Sequence, residues 1–160
     1  MRTALYPGTF DPVTYGHLDL LDRARRLFDR VIVAVALSGT KGTLFSLEER
    51  VEIFQEVVAD RDGVEVVPFQ GLLVQEFERL KVDVVVRGVR LFQDFEYEYM
   101  MALMNRRLHP GFDVIFLMPS EDYLSVSSSL VREVHKHGGD IGRMVPDVVA
   151  RRMDGRRPLD

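Results

Sequence analysis

The sequence predicts a single doubly wound α/β domain built on a five-stranded parallel sheet, and three observations predict it. Five short runs rich in β-branched residues recur along 160 residues. Several of them are continuously apolar rather than alternating, as expected for parallel strands buried on both faces. Segments with helical periodicity separate them, with no linker, repeat or low-complexity break. The chain is therefore expected to form one domain over residues 1–160.

The strand candidates are Thr3–Tyr6, Val31–Leu37, Val64–Val67, Val82–Val86 and Val114–Met118. After the first, Leu18, Leu21, Ala24, Leu27 and Phe28 share one helical face, with Asp19/Arg23 and Asp22/Arg26 as (i, i+4) pairs on the other. The second helix opens on a capping box, Ser46-Leu47-Glu48-Glu49, and turns Leu47, Val51, Phe54 and Val58 inward. A shorter third helix carries Leu73, Phe77 and Leu80. The fourth, from about Phe92 to Leu108, is apolar around most of its circumference. Such a helix needs burial on several sides, either in a subunit interface or at the centre of one chain. The end, 151–160, holds two Arg-Arg pairs, Gly155 and Pro158, and reads as a frayed tail.

Composition narrows the chemistry. There is no cysteine, which excludes disulfides, thiolate zinc sites and cysteine nucleophiles. The formal charge of −4 gives no global basic field for nucleic acid. Met1–Pro7 holds no signal-like apolar stretch, and no run approaches the ~20 residues of a membrane span, so a cytoplasmic protein is expected. Of 21 basic residues only three, Lys41, Lys81 and Lys136, are lysine. Neither a P-loop nor a G-x-G-x-x-G fingerprint is present.

In open α/β sheets ligands bind beyond the carboxyl ends of the strands. The residues that follow each strand here are suited to an anion. Pro7-Gly8-Thr9-Phe10-Asp11-Pro12 leads to Thr14-Tyr15-Gly16-His17 at a helix start, where free N–H groups favour anions and disfavour a charged imidazole. Ser38-Gly39-Thr40-Lys41 follows the second strand, and Arg87-Gly88-Val89-Arg90 follows the fourth. Arg87 and Arg90 can present two guanidiniums to one polyphosphate, or simply pair with Asp94 or Glu96. After the fifth strand, Ser127-Ser128-Ser129 opens a helix in which one serine suffices as N-cap, and Arg132 points back to the same end.

Thr9-Phe10-Asp11-Pro12 with Thr14-Tyr15-Gly16-His17 resembles the T-x-G-H form of the H-x-G-H signature of the nucleotidylyltransferase superfamily. Val126-Ser127-Ser128-Ser129-Leu130-Val131-Arg132 resembles that superfamily's second, serine-rich signature, with Val126 in place of Ile and Ser129 in place of Thr. Arg87–Arg90 and Asp94–Glu98 narrow the likeness to the bacterial phosphopantetheine adenylyltransferases. It runs from Tyr6 to about Pro146, and Gly39-Thr40 replaces a commoner Pro-Ser step.

The resemblance implies a Rossmann-like nucleotidylyltransferase fold and transfer of AMP from ATP to 4′-phosphopantetheine, by direct in-line attack. It implies that His17 stabilises the transition state, with Lys41 and Arg90 beside it, and that Thr9, Phe10, Gly88, Val89, Arg90 and Glu98 contact ATP. Tyr123, Leu124, Ser125, Val126, Ser127, Ser128 and Ser129 would close over the nucleotide. Thr9, Lys41, Leu73 and Arg87 would hold phosphopantetheine. It further implies Mg²⁺ held mainly by the ATP phosphates, coenzyme A as a feedback ligand, and a homohexamer. Two rivals stand beside it: a nucleotidylyltransferase with another acceptor, and a non-catalytic nucleotide-binding protein.

Overall fold

In the computed structural model, which describes residues 1–37 and 42–156, five parallel strands alternate with helices. β1 (Thr3–Gly8) leads to α1 (Tyr15–Arg25), β2 (Arg30–Ala36) to α2 (Leu47–Val57), and β3 (Val64–Phe69) to α3 (Leu73–Leu80). β4 (Val84–Gly88) leads to α4 (Phe92–Leu108), and β5 (Val114–Leu117) is followed by a 3₁₀ turn, α5 (Ser128–Lys136) and α6 (Asp147–Asp154). The strand order is β3-β2-β1-β4-β5. The chain thus builds outward from β1 to one edge, crosses back through α3, and builds outward to the other.

Strand alternation divides the core into two layers. Ala4, Tyr6, Val31, Val33, Val84 and Val86 face a layer made with α1, α2, α5 and α6, while Leu5, Ile32, Ala34 and Val85 face Val74 and Phe77 of α3. Both faces of the central strands are covered, which explains their uninterrupted apolar runs. The capping box of α2 forms as expected, the Ser46 hydroxyl accepting from the Glu49 N–H and the Glu49 carboxylate accepting from the Ser46 N–H.

Several expectations need correction. Leu27 is exposed, because α1 stops at Arg25 and the chain turns away before the next apolar position returns to the core. Asp22 pairs with Arg25 and Arg61, not with Arg26. The frayed tail is not observed over 151–156. α6 runs to Asp154, Met153 is fully buried, and Arg156 reaches the Leu44 carbonyl (2.9 Å) and the Glu49 carboxylate. The remainder of that segment lies outside the described residues.

α4 has the predicted bounds but not a central position. Among its residues only Asn105 is buried, while Phe92 is 76% and Met100 63% exposed. Burial at the centre of one chain is therefore excluded.

Candidate active site

The sheet is stitched unevenly, and the gap is where a ligand can enter. β1 pairs with β2 over all six residues from Thr3↔Arg30 to Gly8↔Val35. With β4 it pairs only at Ala4↔Val84 and Leu5↔Val85. Beyond Leu5 and Val85 the two strands part, at the point where strand order reverses. Arg87 spans the opening: Nη1 donates to the Pro7 carbonyl (2.7 Å), and Nε (2.7 Å) and Nη2 donate to the Glu98 carboxylate. The ion pair expected for Arg87 thus exists, but with Glu98 rather than Asp94 or Glu96.

Two cavities meet at this bridge and share Pro7, Gly8, Arg87, Tyr97 and Glu98. One, of about 340 Å³, is walled by Phe10, His17, Gly88, Arg90, Tyr123 and Val126 among others. The second, of about 250 Å³, is more apolar in character, with Thr9, Ala36, Phe69, Leu73, Asn105 and Phe112 in its walls.

The β1 exit shapes the first cavity. A Cβ on Gly8 would lie 2.7 Å from the Phe10 ring, so the ring occupies space that only glycine leaves. Phe10 itself has φ +50°, a left-handed conformation costly for a non-glycine residue and typical of functional turns. Its ring packs edge-on against Tyr6, Phe54 and His17, with centroids 5.3, 4.8 and 5.0 Å away. Asp11 is buried and accepts from the N–H groups of Leu44 (2.7 Å) and Phe45 (3.0 Å), which ties this turn to the start of α2. The aspartate of the first signature is therefore a loop anchor.

Thr14 caps α1, and its N–H donates to His17 Nδ1 at 3.0 Å. With Nδ1 accepting, the ring proton of the neutral imidazole is on Nε2. Burial, with a smaller contribution from the nearby Arg90 charge, lowers the His17 pKa from 6.5 to about 4. The neutral donor expected from the helix start is borne out in direction, with desolvation as the main cause.

On the opposite wall Arg90 donates from Nη1 to the Val126 carbonyl (3.2 Å) and holds Nε 3.4 Å from Asp94. Gly88 lies against Leu20 of α1 so closely that any Cβ would collide with its methyl group. Its neighbour Val89 donates its N–H to Leu117 (3.0 Å) and does not wall either cavity.

The serine run is largely occupied with the fold. Ser127 caps α5, accepting from the Leu130 N–H (3.1 Å). Ser128 donates to the Pro12 carbonyl (2.7 Å), and Ser129 accepts from Arg132 (3.3 Å), which also donates to the Asp11 carbonyl. Leu124, Ser125 and Ser127 to Ser129 stand outside both cavity walls, although Tyr123 and Val126 of the same stretch are within the first. Lys41 lies outside the described residues.

Two supporting roles escaped the sequence reading, which took Asp19 only as the (i, i+4) partner of Arg23, a pair that forms. Asp19, on α1 two residues after His17, accepts from the Ser120 N–H (2.8 Å), the Ser120 hydroxyl (2.7 Å) and Arg23 Nε (2.9 Å). Burial alone would raise its pKa, but these bonds outweigh that and hold it below the usual carboxylate value. Arg50 on α2 is enclosed behind the Thr9 turn. Neither residue type stands out locally, since both sit among other charged helical residues.

Residues 5–134 match the cytidylyltransferase-like family model. A phosphopantetheine adenylyltransferase of Caldanaerobacter subterraneus subsp. tengcongensis is 49% identical over 153 residues, covering 96% of each chain. The chain belongs to the phosphopantetheine adenylyltransferase family. Another phosphopantetheine adenylyltransferase, from Desulfosudis oleivorans, is 47% identical over 96% of this chain and 92% of its own. A solved structure described as a nicotinate-nucleotide adenylyltransferase from Vibrio parahaemolyticus superposes with a TM-score of 0.75 over 99% of this chain and 98% of its own. At 15% identity that likeness shows the fold alone. The family membership bears out the resemblance read from the two signatures. In this phosphopantetheine adenylyltransferase family member, the two cavities adjoin at the Arg87 bridge.

Proposed function

We propose that this chain transfers AMP from ATP to 4′-phosphopantetheine, giving dephospho-coenzyme A and pyrophosphate. The observation that carries this reading is the meeting of two unlike cavities at Arg87, one beside His17 and Arg90, the other walled by Leu73, Phe69 and Phe112. A nucleoside triphosphate suits the first and a flexible pantetheine arm the second. An acceptor with a planar base has less use for a small apolar cavity.

The chemistry asks little of the protein in covalent terms. A phosphate monoester is largely dianionic at neutral pH, since its second pKa is ~6, and needs no general base. One of its oxygens bonds to the α-phosphorus of ATP as the bond from that phosphorus to the bridging oxygen breaks, and pyrophosphate leaves with the electron pair. The protein contributes alignment and charge stabilisation. Arg87 and Arg90 offset the repulsion between two polyanions, with Lys41 assigned the same task by family likeness. His17 offers an uncharged Nε2–H to the equatorial oxygens of the α-phosphate.

Asp94 and Glu98 are turned to arginines, and among the described residues no three His, Asp or Glu gather as a metal site. By family likeness Mg²⁺ is read as an ion held mainly by the triphosphate oxygens, where it would offset their charge. The exposed apolar face of α4 supports assembly with further copies, and the number six rests on family likeness. A cytoplasmic location and feedback by coenzyme A complete the reading; among the described residues no helix is long and apolar enough to cross a membrane.

The test is pyrophosphate release from ATP with Mg²⁺ and three acceptors side by side: 4′-phosphopantetheine, nicotinamide mononucleotide and glycerol phosphate. Turnover with the first alone is expected. Tight ATP binding without pyrophosphate release for any acceptor would make the protein a non-catalytic binder.

A further inference from the structure

Arg50 has only 2% of its surface exposed, and none of the ion pairs among the described residues involves it. A buried cation is costly unless its donors are satisfied. Here backbone carbonyls take three of its five N–H groups: Nη1 donates to Thr9 (2.6 Å) and Ala36 (2.8 Å), and Nε to Phe45 (3.2 Å).

These carbonyls are not scattered. Thr9 immediately follows β1, Ala36 ends β2, and Phe45 precedes the cap of α2. Thr9 and Ala36 both wall the smaller, more apolar cavity, and none of the three residues walls the nucleotide cavity. In the chain, Ala36 and Phe45 also flank the segment that carries Lys41. A single planar guanidinium thus fixes two backbone points of the acceptor cavity wall and a third at the start of α2, while walling neither cavity itself. A lysine in its place has one nitrogen for three carbonyls that lie around a plane.

We propose that Arg50 is a positioning residue for the acceptor substrate, setting the backbone of Thr9 and Ala36 against the phosphopantetheine arm. This rests on the assignment of the apolar cavity to that substrate. A shift of a wall by about an ångström can change rates or affinities by orders of magnitude, so the role is measurable.

The experiment compares wild type, Arg50→Lys and Arg50→Gln by steady-state kinetics with each substrate varied, and by calorimetric titration of each substrate alone. In Arg50→Gln the KM and Kd for 4′-phosphopantetheine are expected to rise ~10-fold or more, with those for ATP within ~3-fold. Arg50→Lys should show a smaller split in the same direction. Should Arg50→Gln not fold, by circular dichroism, Arg50→Lys decides alone. Equal weakening of both substrates, or no change in either, overturns the proposal. An inactive wild type would overturn the assigned reaction instead, and the titrations would still read whether Arg50 discriminates between the two ligands.

Discussion

His17 has two ring nitrogens with separate duties. Nδ1 is spent on the Thr14 N–H, which leaves the Nε2 proton for a ligand. Because its pKa is about 4, the ring is neutral across the physiological range and donates without titrating. Replacing His17 with alanine should lower kcat ~10²-fold or more with ATP affinity nearly unchanged, the scale of losing one oxyanion donor. Equal falls in affinity and rate would remove that role. From about pH 5 upward, kcat should show no limb due to this residue. Stability behaves differently. The unfolded imidazole takes up its proton near 6.5 and the folded one near 4, so the unfolded state binds more protons between these values. Stability therefore rises with pH over that window, by on the order of 1–3 kcal/mol. Urea titrations of wild type and His17→Ala at both ends of the window should show the difference shrinking in the variant. The imidazole was legible in the sequence because a glycine and a helix start frame it. Arg50 was not, since Glu48-Glu49-Arg50 reads as a solvated face until distant carbonyls are brought to it. The Ser128 bond to Pro12, across 116 residues, was hidden for the same reason.

At the scale of elements, the periodic patterns located all five strands and the first four helices within a few residues, because each buries a whole face. What they missed is how elements are fastened. α6 carries Val149 and Met153 into the core, yet its Arg151-Arg152 pair, followed by Gly155 and a second Arg-Arg pair, suggested an unstructured end. The segment after β5 is pinned to α1 by Asp19, which accepts both the N–H and the hydroxyl of Ser120. His17 and Tyr123 stand in one cavity wall partly through this clamp. Asp19→Asn keeps the size but loses charge-assisted acceptance, worth about 1–3 kcal/mol. It should raise the KM for ATP several-fold and leave that for phosphopantetheine nearly unchanged in the same kinetic assay. The Asp19 pKa is depressed in the folded state. Its contribution to stability is therefore present above the unfolded value and lost as pH falls through the folded one.

Over the whole molecule the apolar character of α4 was readable, but not the side on which it would be used. The fold already covers both faces of its central strands, and α4 is left with an open apolar surface. Met100, away from both cavities, is the place to test it. Met100→Glu should shift the mass measured by light scattering toward a smaller species, with secondary structure retained. An unchanged mass would mean that this face is not an interface between copies. The arginine excess also divides at this scale. Arg50, Arg87, Arg90 and Arg132 each bind backbone carbonyls around the site, so this fold uses guanidinium for joinery.

The two-residue pairing of β1 with β4 has a mechanical consequence. It leaves the β3-β2-β1 block and the β4-β5 block joined by backbone at only one end of their common seam. If the proposed nucleotide binds between them, it would act as a rivet, replacing rungs that the ladder lacks. By mass action such binding would raise the stability of the joined form, which a thermal melt with and without ATP would read as a higher Tm.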